Sequence, residues 1–287
     1  MEKFLIIGGT GNIGFPLIEF LNKQANIQIV AGSHNPDKAQ EKFQDMKNVV
    51  VKKFDFLDST TFGDAFDGVS KVFFVRPPQL GHPKQDMLPF LHYAQNQTID
   101  QIVFVSLLGV EKNPMTPHHQ IEQMIIELNI PYTFIRPSFF MQNLDTTHLF
   151  DIKNNHDLFI PAGNSRTSFI DTRDIGEIAG ITMLDDKYLF QKLNVTGPQA
   201  LNYYEIAQVM TQVLGTNITY SKPSLLKFRQ TMLKRGLKKD FVNVMVMLYL
   251  ITQLGNAKEV TDTAKKVLGR KPRNIKDYVE DYRNYFI

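Results

Sequence analysis

Cysteine and tryptophan are both absent from this 287-residue chain. Without cysteine there are no disulfides, no thiolate metal ligands and no cysteine nucleophile. The same absence fits a reducing compartment. An excess of one charge is missing as well: 32 Lys and Arg face 29 Asp and Glu, a formal net charge of +3. Spread over this length, that is no electrostatic footprint for nucleic acid. Long hydrophobic runs are lacking too. The longest apolar-leaning stretch, Phe241 to Leu254, carries Asn243, Thr252 and Gln253 and is too short to span a bilayer. The opening residues Met1 to Gly8 run straight into an apolar strand that stops at glycines, unlike a signal peptide. The expectation is a soluble, cytoplasmic protein with neither a membrane nor nucleic acid as partner.

What is present is a 43% hydrophobic chain, long enough for two domains or one large domain with an appendage. Short Val-, Ile- and Phe-rich runs recur at Phe4–Ile7, Ile27–Ala31, Val49–Lys52, Val72–Val75, Ile102–Ser106 and Tyr132–Ile135. Segments of helical periodicity separate them, such as Ile18–Leu21 and Ile121–Leu128. Near-continuous apolar strands alternating with helices predict an α/β fold, a doubly wound parallel sheet covered on both faces. After Pro137 the strand rhythm weakens, and after Gly197 the chain reads as helical, over Tyr203–Leu214, Ser224–Lys234, Asp240–Leu254 and Ile275–Phe286. Asn202 and the pair Thr261-Asp262 read as helix starts. The expected division is a dinucleotide-binding domain over 1–150, with 168–197 returning to it, and a smaller, mainly helical substrate part over 151–287. With no linker between them, the two parts are expected to pack around a cleft.

Gly8, Gly11 and Gly14 follow the first strand as G-x-x-G-x-x-G, within Gly8-Gly9-Thr10-Gly11-Asn12-Ile13-Gly14. Gly8 permits a sharp strand-to-helix turn, Gly11 lets a pyrophosphate approach the backbone, and Gly14 lets the helix sit close to the sheet. In a chain that keeps alternating, this loop points to a dinucleotide rather than to a merely tight turn. About 20 residues on, NAD-specific sites place a carboxylate for the ribose 2′-hydroxyl. Here the second strand ends in Gly32-Ser33-His34-Asn35, with Lys38 beyond it and no acid at the strand end. Ser33, His34 and Lys38 are either contacts for a 2′-phosphate or ordinary loop residues. NADP(H) is slightly favoured over NAD(H).

The glycine loop, Gly32-Ser33-His34-Asn35-Pro36, Arg76-Pro77-Pro78, Ser106-Leu107-Leu108-Gly109, Arg136-Pro137-Ser138-Phe139-Phe140-Met141-Gln142-Asn143, Phe169 to Ile175 and Leu268 to Arg273 together resemble the NmrA-like family. These are atypical members of the short-chain dehydrogenase/reductase superfamily. The resemblance spans essentially the whole chain and implies a Rossmann domain with a small C-terminal substrate domain. It also implies either NAD(P)H-dependent reduction of quinones or enones, or cofactor-sensing regulation. By position, Gly8, Thr10, Gly11, Asn12, Ile13 and Gly14 would cradle the pyrophosphate, and Ser33 and His34 would face the adenosine ribose. Asp55 and Phe56 would flank the adenine, while Val75, Arg76, Pro77 and Ser106 would lie near the nicotinamide ribose. Pro137, Ser138, Phe139 and Phe140 would line the nicotinamide face. NADP-binding relatives often carry Arg where this chain has His34.

The superfamily's usual proton donor is a tyrosine one helical turn from a lysine, which lowers its pKa. The expected stretch instead reads Met115-Thr116-Pro117-His118-His119-Gln120-Ile121-Glu122. Tyr188 and Lys192 have the right spacing but lie far downstream and are taken as coincidence. This argues against nucleotide-sugar epimerase chemistry. It leaves His118 as candidate acid, with Glu122 one turn away to orient it, or solvent as the proton source. A helix start with Thr116 as cap and Pro117 at the first position accounts for much of the same pattern. Adjacent histidines diverge on a helix, and the spacing is not His-Glu-x-x-His, so no metal is expected. The leading expectation is hydride transfer to a small conjugated acceptor such as a quinone, held between Arg76–Gln79, Pro137–Asn143 and the C-terminal part. Gln79, Phe140 and Asn143 are the candidate acceptor contacts. The alternative is a non-catalytic NAD(P)-sensing regulator acting through a protein partner. Val244 to Tyr249 either packs the small domain or forms a homodimer interface.

Overall fold

The computed structural model describes every residue from Met1 to Ile287. In chain order the first elements are β1 (Glu2–Ile7), α1 (Gly14–Leu21), β2 (Ile27–Ser33), α2 (Pro36–Phe43), β3 (Val49–Lys53) and α3 (Phe62–Phe66). Then come β4 (Lys71–Val75), α4 (Pro83–Asp86), α5 (Leu88–Asn96), β5 (Gln101–Val105), α6 (Pro117–Glu127), β6 (Tyr132–Pro137) and β7 (Phe139–Phe140). The middle holds α7 (Leu149–Asn155), β8 (Thr167–Ile170), α8 (Thr172–Leu184), β9 (Gln191–Val195) and β10 (Ala200–Leu201). The remainder is helical: α9 (Tyr203–Leu214), α10 (Leu225–Lys234), α11 (Lys239–Gln253), α12 (Thr263–Leu268), α13 (Ile275–Asp281) and α14 (Arg283–Phe286). No helix is long and apolar enough to cross a membrane.

The chain divides into two compact units. The first comprises 1–137, 172–195 and 266–269, and the second 138–171, 196–265 and 270–287. Residues 138–150, expected with the first part, cluster with the second. The return segment starts at 172, because β8 pairs with β7 and β10 rather than with the large sheet.

The first unit carries seven strands in the order β3-β2-β1-β4-β5-β6-β9, every neighbouring pair parallel. This is the Rossmann-type parallel sheet that the alternating pattern predicted. Parallel strands need both faces covered, and the sequence supplies that with almost unbroken apolar runs. Phe4–Ile7, Val72–Phe74 and Ile102–Val105 are all buried. One face packs on α3, α5 and α6 through an aromatic core in which Phe74 stacks on Phe104 at 4.7 Å and Phe56 meets Phe90 edge-on at 5.1 Å. On the other face α1 lies against α8 at glycines. A Cβ on Gly176 would stand 2.8 Å from both the Ile13 carbonyl oxygen and the Leu17 nitrogen, and one on Gly180 would overlap the Phe20 ring.

The second unit has its own core, formed by α9, α10, α11 and α13 around residues such as Tyr203, Phe228 and Tyr278. Asn202 caps α9 in a capping box with Glu205, as its position predicted, and Asn274 does the same for α13 with Asp277. The helix expected over 275–286 breaks in two at Tyr282, the boundary between α13 and α14.

Because the Gly176 contact is with backbone, a side chain there cannot be absorbed by a rotamer change. Gly176→Val should lower stability by about 1–3 kcal/mol, read as a shifted urea midpoint with an unchanged slope.

Candidate functional site

The strand order reverses between β1 and β4, and the carboxyl ends of the parallel strands meet there. The glycine loop leaves β1 at this point. Gly8 adopts φ +81°, a conformation that L-residues rarely take, and its carbonyl accepts the Gly11 amide at 3.0 Å. The turn brings α1 back so tightly that a Cβ on Gly14 would stand 2.3 Å from the Gly8 oxygen. Thr10, Gly11 and Asn12 are exposed, whereas Ile13 is buried as an anchor. No side chain caps the start of α1, so nothing of that kind competes for the positive end of its dipole. Lys42 of α2 donates to the Thr10 carbonyl at 2.8 Å and lies over the Phe15 ring. It fixes the loop and sets a cation beside it, a role no sequence motif advertised.

At the end of β2, the Ser33 hydroxyl accepts the Asn35 amide and Asn35 caps α2. Exposed His34 pairs through Nδ1 with Asp55 at 3.0 Å, and Lys53 donates to the His34 carbonyl. Lys38 is exposed on the first turn of α2. Phe56 departs from expectation. Its ring is buried against Phe54, Phe74 and Phe90, so it belongs to the core.

Past β4, the Arg76 guanidinium folds back and donates from Nη1 to the carbonyls of Pro77, Pro78 and Leu80. Burial holds its pKa below the usual value, partly offset by Asp86. Its Nε and the Ser106 hydroxyl beyond β5 are buried without a partner. Val75 and Pro77 are half-buried, and Gln79 is exposed. Pro137 closes β6 and accepts the Leu108 amide at 3.0 Å. In the second unit, the Ser138 hydroxyl is likewise buried without a partner. Phe139 meets Phe169 edge-on, and Phe140 and Asn143 are half-buried.

The expected His118–Glu122 pair does not form. Glu122 is fully buried and gives both carboxylate oxygens to Arg136 of β6, at 2.9 Å from Nε and 2.5 Å from Nη2. Glu111 adds a third contact to the same guanidinium. Although burial lowers the Arg136 pKa, its hydrogen bond to Glu122 and the two acids raise it overall. A buried, bidentate guanidinium outcompetes a half-buried imidazole for the carboxylate. His118 instead stacks on Phe104, with ring centroids 6.0 Å apart. Burial, reinforced by the charge of Arg76, pushes its pKa down to about 3. It is therefore neutral near pH 7 and not an imidazolium acid. Thr116 caps α6 by accepting the His119 amide, with Pro117 in the first turn, and His119 turns to the Val110 carbonyl. Tyr188 lies at the amino end of β6, where its carbonyl accepts the Thr133 hydroxyl, whereas the glycine loop leaves the carboxyl end of β1.

Comparison with known proteins identifies the family and matches the fold. The NmrA-like family model matches residues 1–279, and the chain belongs to that family. It is 28% identical to an NAD(P)H azoreductase of Xenophilus azovorans, over 98% of each chain. Its fold is similar to that of the NADPH-dependent quinone oxidoreductase QOR2 of Escherichia coli complexed with NADPH (TM-score 0.87, 22% identity, 98% of this chain and 100% of that one). It is also similar to the Citrobacter triphenylmethane reductase complexed with NADP(H) (TM-score 0.83, 21% identity, 97% and 99%).

Two predictions arise from the buried charges. Glu122→Ala leaves the Arg136 guanidinium buried without its main partner and should cost about 3–5 kcal/mol, measured by denaturant unfolding. Burial also holds His148 down, at about 4, with Asp151 opposing the shift. Both histidines are thus neutral when folded but take up protons near 6.5 when unfolded. Stability is then full above about pH 6.5 and falls as the pH drops toward 4, by about 1.4 kcal/mol per pH unit for each histidine. His118→Phe should remove roughly half of that slope, read from urea melts across the pH series.

Proposed function

We propose that this protein is an NAD(P)H-dependent reductase of the NmrA-like type that reduces a small conjugated acceptor such as a quinone. The observation that carries the reading is the glycine turn at the β1–β4 reversal, where a Cβ on Gly14 would collide with the Gly8 carbonyl. Such a turn leaves backbone amides open to a pyrophosphate. The partnerless Ser106 hydroxyl and Arg76 Nε at neighbouring strand ends suit a ribose, whose hydroxyls satisfy buried polar atoms of this kind. The residues therefore fit a dinucleotide.

In this reading Gly8, Thr10, Gly11, Asn12, Ile13 and Gly14 hold the pyrophosphate. Ser33, His34, Lys38 and Asp55 take the adenosine end; Val75, Arg76, Pro77 and Ser106 take the nicotinamide ribose. Pro137, Ser138 and Phe139 border the nicotinamide, and Gln79, Phe140 and Asn143 meet the acceptor. NADP(H) is favoured over NAD(H). Lys38 and Lys53 stand near the end of β2, and Asp55 is engaged by the His34 ring and the Leu57 amide.

When bound, the coenzyme supplies the hydride. The chain's part is to bind, orient and limit water. With His118 neutral and Glu122 held by Arg136, the accompanying proton is drawn from solvent. An acceptor whose added electron pair is delocalised tolerates that weak acid assistance. Quinones share extended conjugation with azo compounds and triphenylmethane dyes, the substrates named for the similar reductases. Those names weigh toward turnover rather than a purely regulatory role.

The test supplies purified protein with NADPH or NADH and a panel of quinones, enones and azo dyes. Coenzyme oxidation, faster with NADPH, is the expected result; binding without turnover anywhere in the panel would sink the proposal. Gly14→Val should weaken coenzyme binding at least about tenfold, or ~1.4 kcal/mol, measured by titration of the coenzyme's fluorescence. The rate profile should show no limb near pH 6.5 that disappears in His118→Gln.

A further inference from the structure

The near-neutral total charge conceals a sharp segregation. Between residues 206 and 258 there are eight Lys and Arg against a single acid, Asp240, whereas elsewhere 28 acids outnumber 24 bases. Within this cationic stretch, α11 is apolar on two sides. Val242, Met245, Tyr249 and Thr252 are buried in the core of the second unit. On the other side Phe241, Val244, Leu248 and Ile251 form an exposed stripe flanked by Met247 and Leu254, the last 70% exposed. No charged residue occurs from 241 to 254. Lys234, Lys238 and Lys239 are exposed around the turn that leads into the helix. Arg229 of α10 donates to Asn243 at 3.1 Å, tying a cation to the exposed side of α11, and Leu226 opens α10 with its side chain mostly exposed.

We propose that this α10–α11 face docks on an anionic membrane surface. The helix would lie flat, since 15 residues reach only about 22 Å; this is surface association, distinct from spanning. Exposed aliphatic and aromatic side chains beside lysines are what an interface-seated helix presents to acyl chains and acidic headgroups. A second copy of the chain is disfavoured because it would set two cationic patches against each other. Nucleic acid is disfavoured because a duplex or strand backbone has no use for a continuous aliphatic stripe. The proposal departs from the sequence-based expectation of no membrane partner, and it does not depend on the reductase reading.

The experiment is flotation of the full chain with vesicles of phosphatidylcholine alone and of phosphatidylcholine mixed with phosphatidylglycerol, at low and high salt. Sedimentation velocity is run in parallel. Partition at least tenfold stronger to the anionic vesicles and weakened by salt is expected. The triple variant Lys234→Gln, Lys238→Gln, Lys239→Gln should lose the anionic preference. Leu248→Ser with Ile251→Ser should lose vesicle binding while keeping the thermal transition of the parent. Failure to float with either vesicle overturns the proposal, as does equal flotation with both. A dimer in sedimentation that the serine variant converts to monomer also overturns it, assigning the face to a second copy.

Discussion

Around the Gly8 carbonyl the fold has almost no room to spare. The first helix must return over the end of β1 so closely that the Gly14 position approaches this oxygen within 2.3 Å of where a Cβ would sit. A larger residue would have to push α1 away from the sheet, and any such shift would also disturb the close contact of α1 with α8 at Gly176 and Gly180. Three glycines on two helices thus serve one end. They hold the start of α1 at the strand-order reversal, where backbone amides and a helix dipole face the same crevice. Lys42 strengthens the arrangement from outside by taking the Thr10 carbonyl.

The second constraint is electrostatic and lies under β6. A guanidinium buried on β6 is tolerated only with its partners in place, so Arg136 claims Glu122 and draws in Glu111. This has a chemical consequence one helical turn away. His118 loses the carboxylate that would have raised its pKa, keeps the charge of Arg76 nearby, and settles as a neutral ring on Phe104. A structural ion pair therefore removes the nearest acid–base dyad from the carboxyl end of the sheet.

How much of this was legible in the sequence follows from the range of each interaction. The parallel sheet was legible because a strand buried on both faces must be largely apolar, as in the runs Val72–Val75 and Ile102–Val105. The glycine loop was legible because its demands are local: the seven residues from Gly8 to Gly14 decide the turn. The caps at Asn202 and Thr116 were legible for the same reason. Phe56 and Glu122 were not. Each was assigned from position or helical spacing, and each was claimed by a distant partner: Phe90 for the first and Arg136 for the second. Lys42 was invisible because its contact with Thr10 joins two elements 32 residues apart.

Composition fails in a related way, by averaging. A net charge of +3 excludes a uniformly basic surface, yet it is the sum of a cationic stretch over 206–258 and an acidic remainder. Hydrophobic periodicity fails on α11 for a complementary reason. A helix apolar on every side is read as core, because a buried helix and an interface helix share that pattern. Only the fold separates the two, by spending Val242, Met245 and Tyr249 inward and leaving Phe241, Val244 and Leu248 outward. The cations at its entrance then acquire meaning: lysines beside an unburied aliphatic stripe form a surface with two chemistries, and a partner for it must carry both.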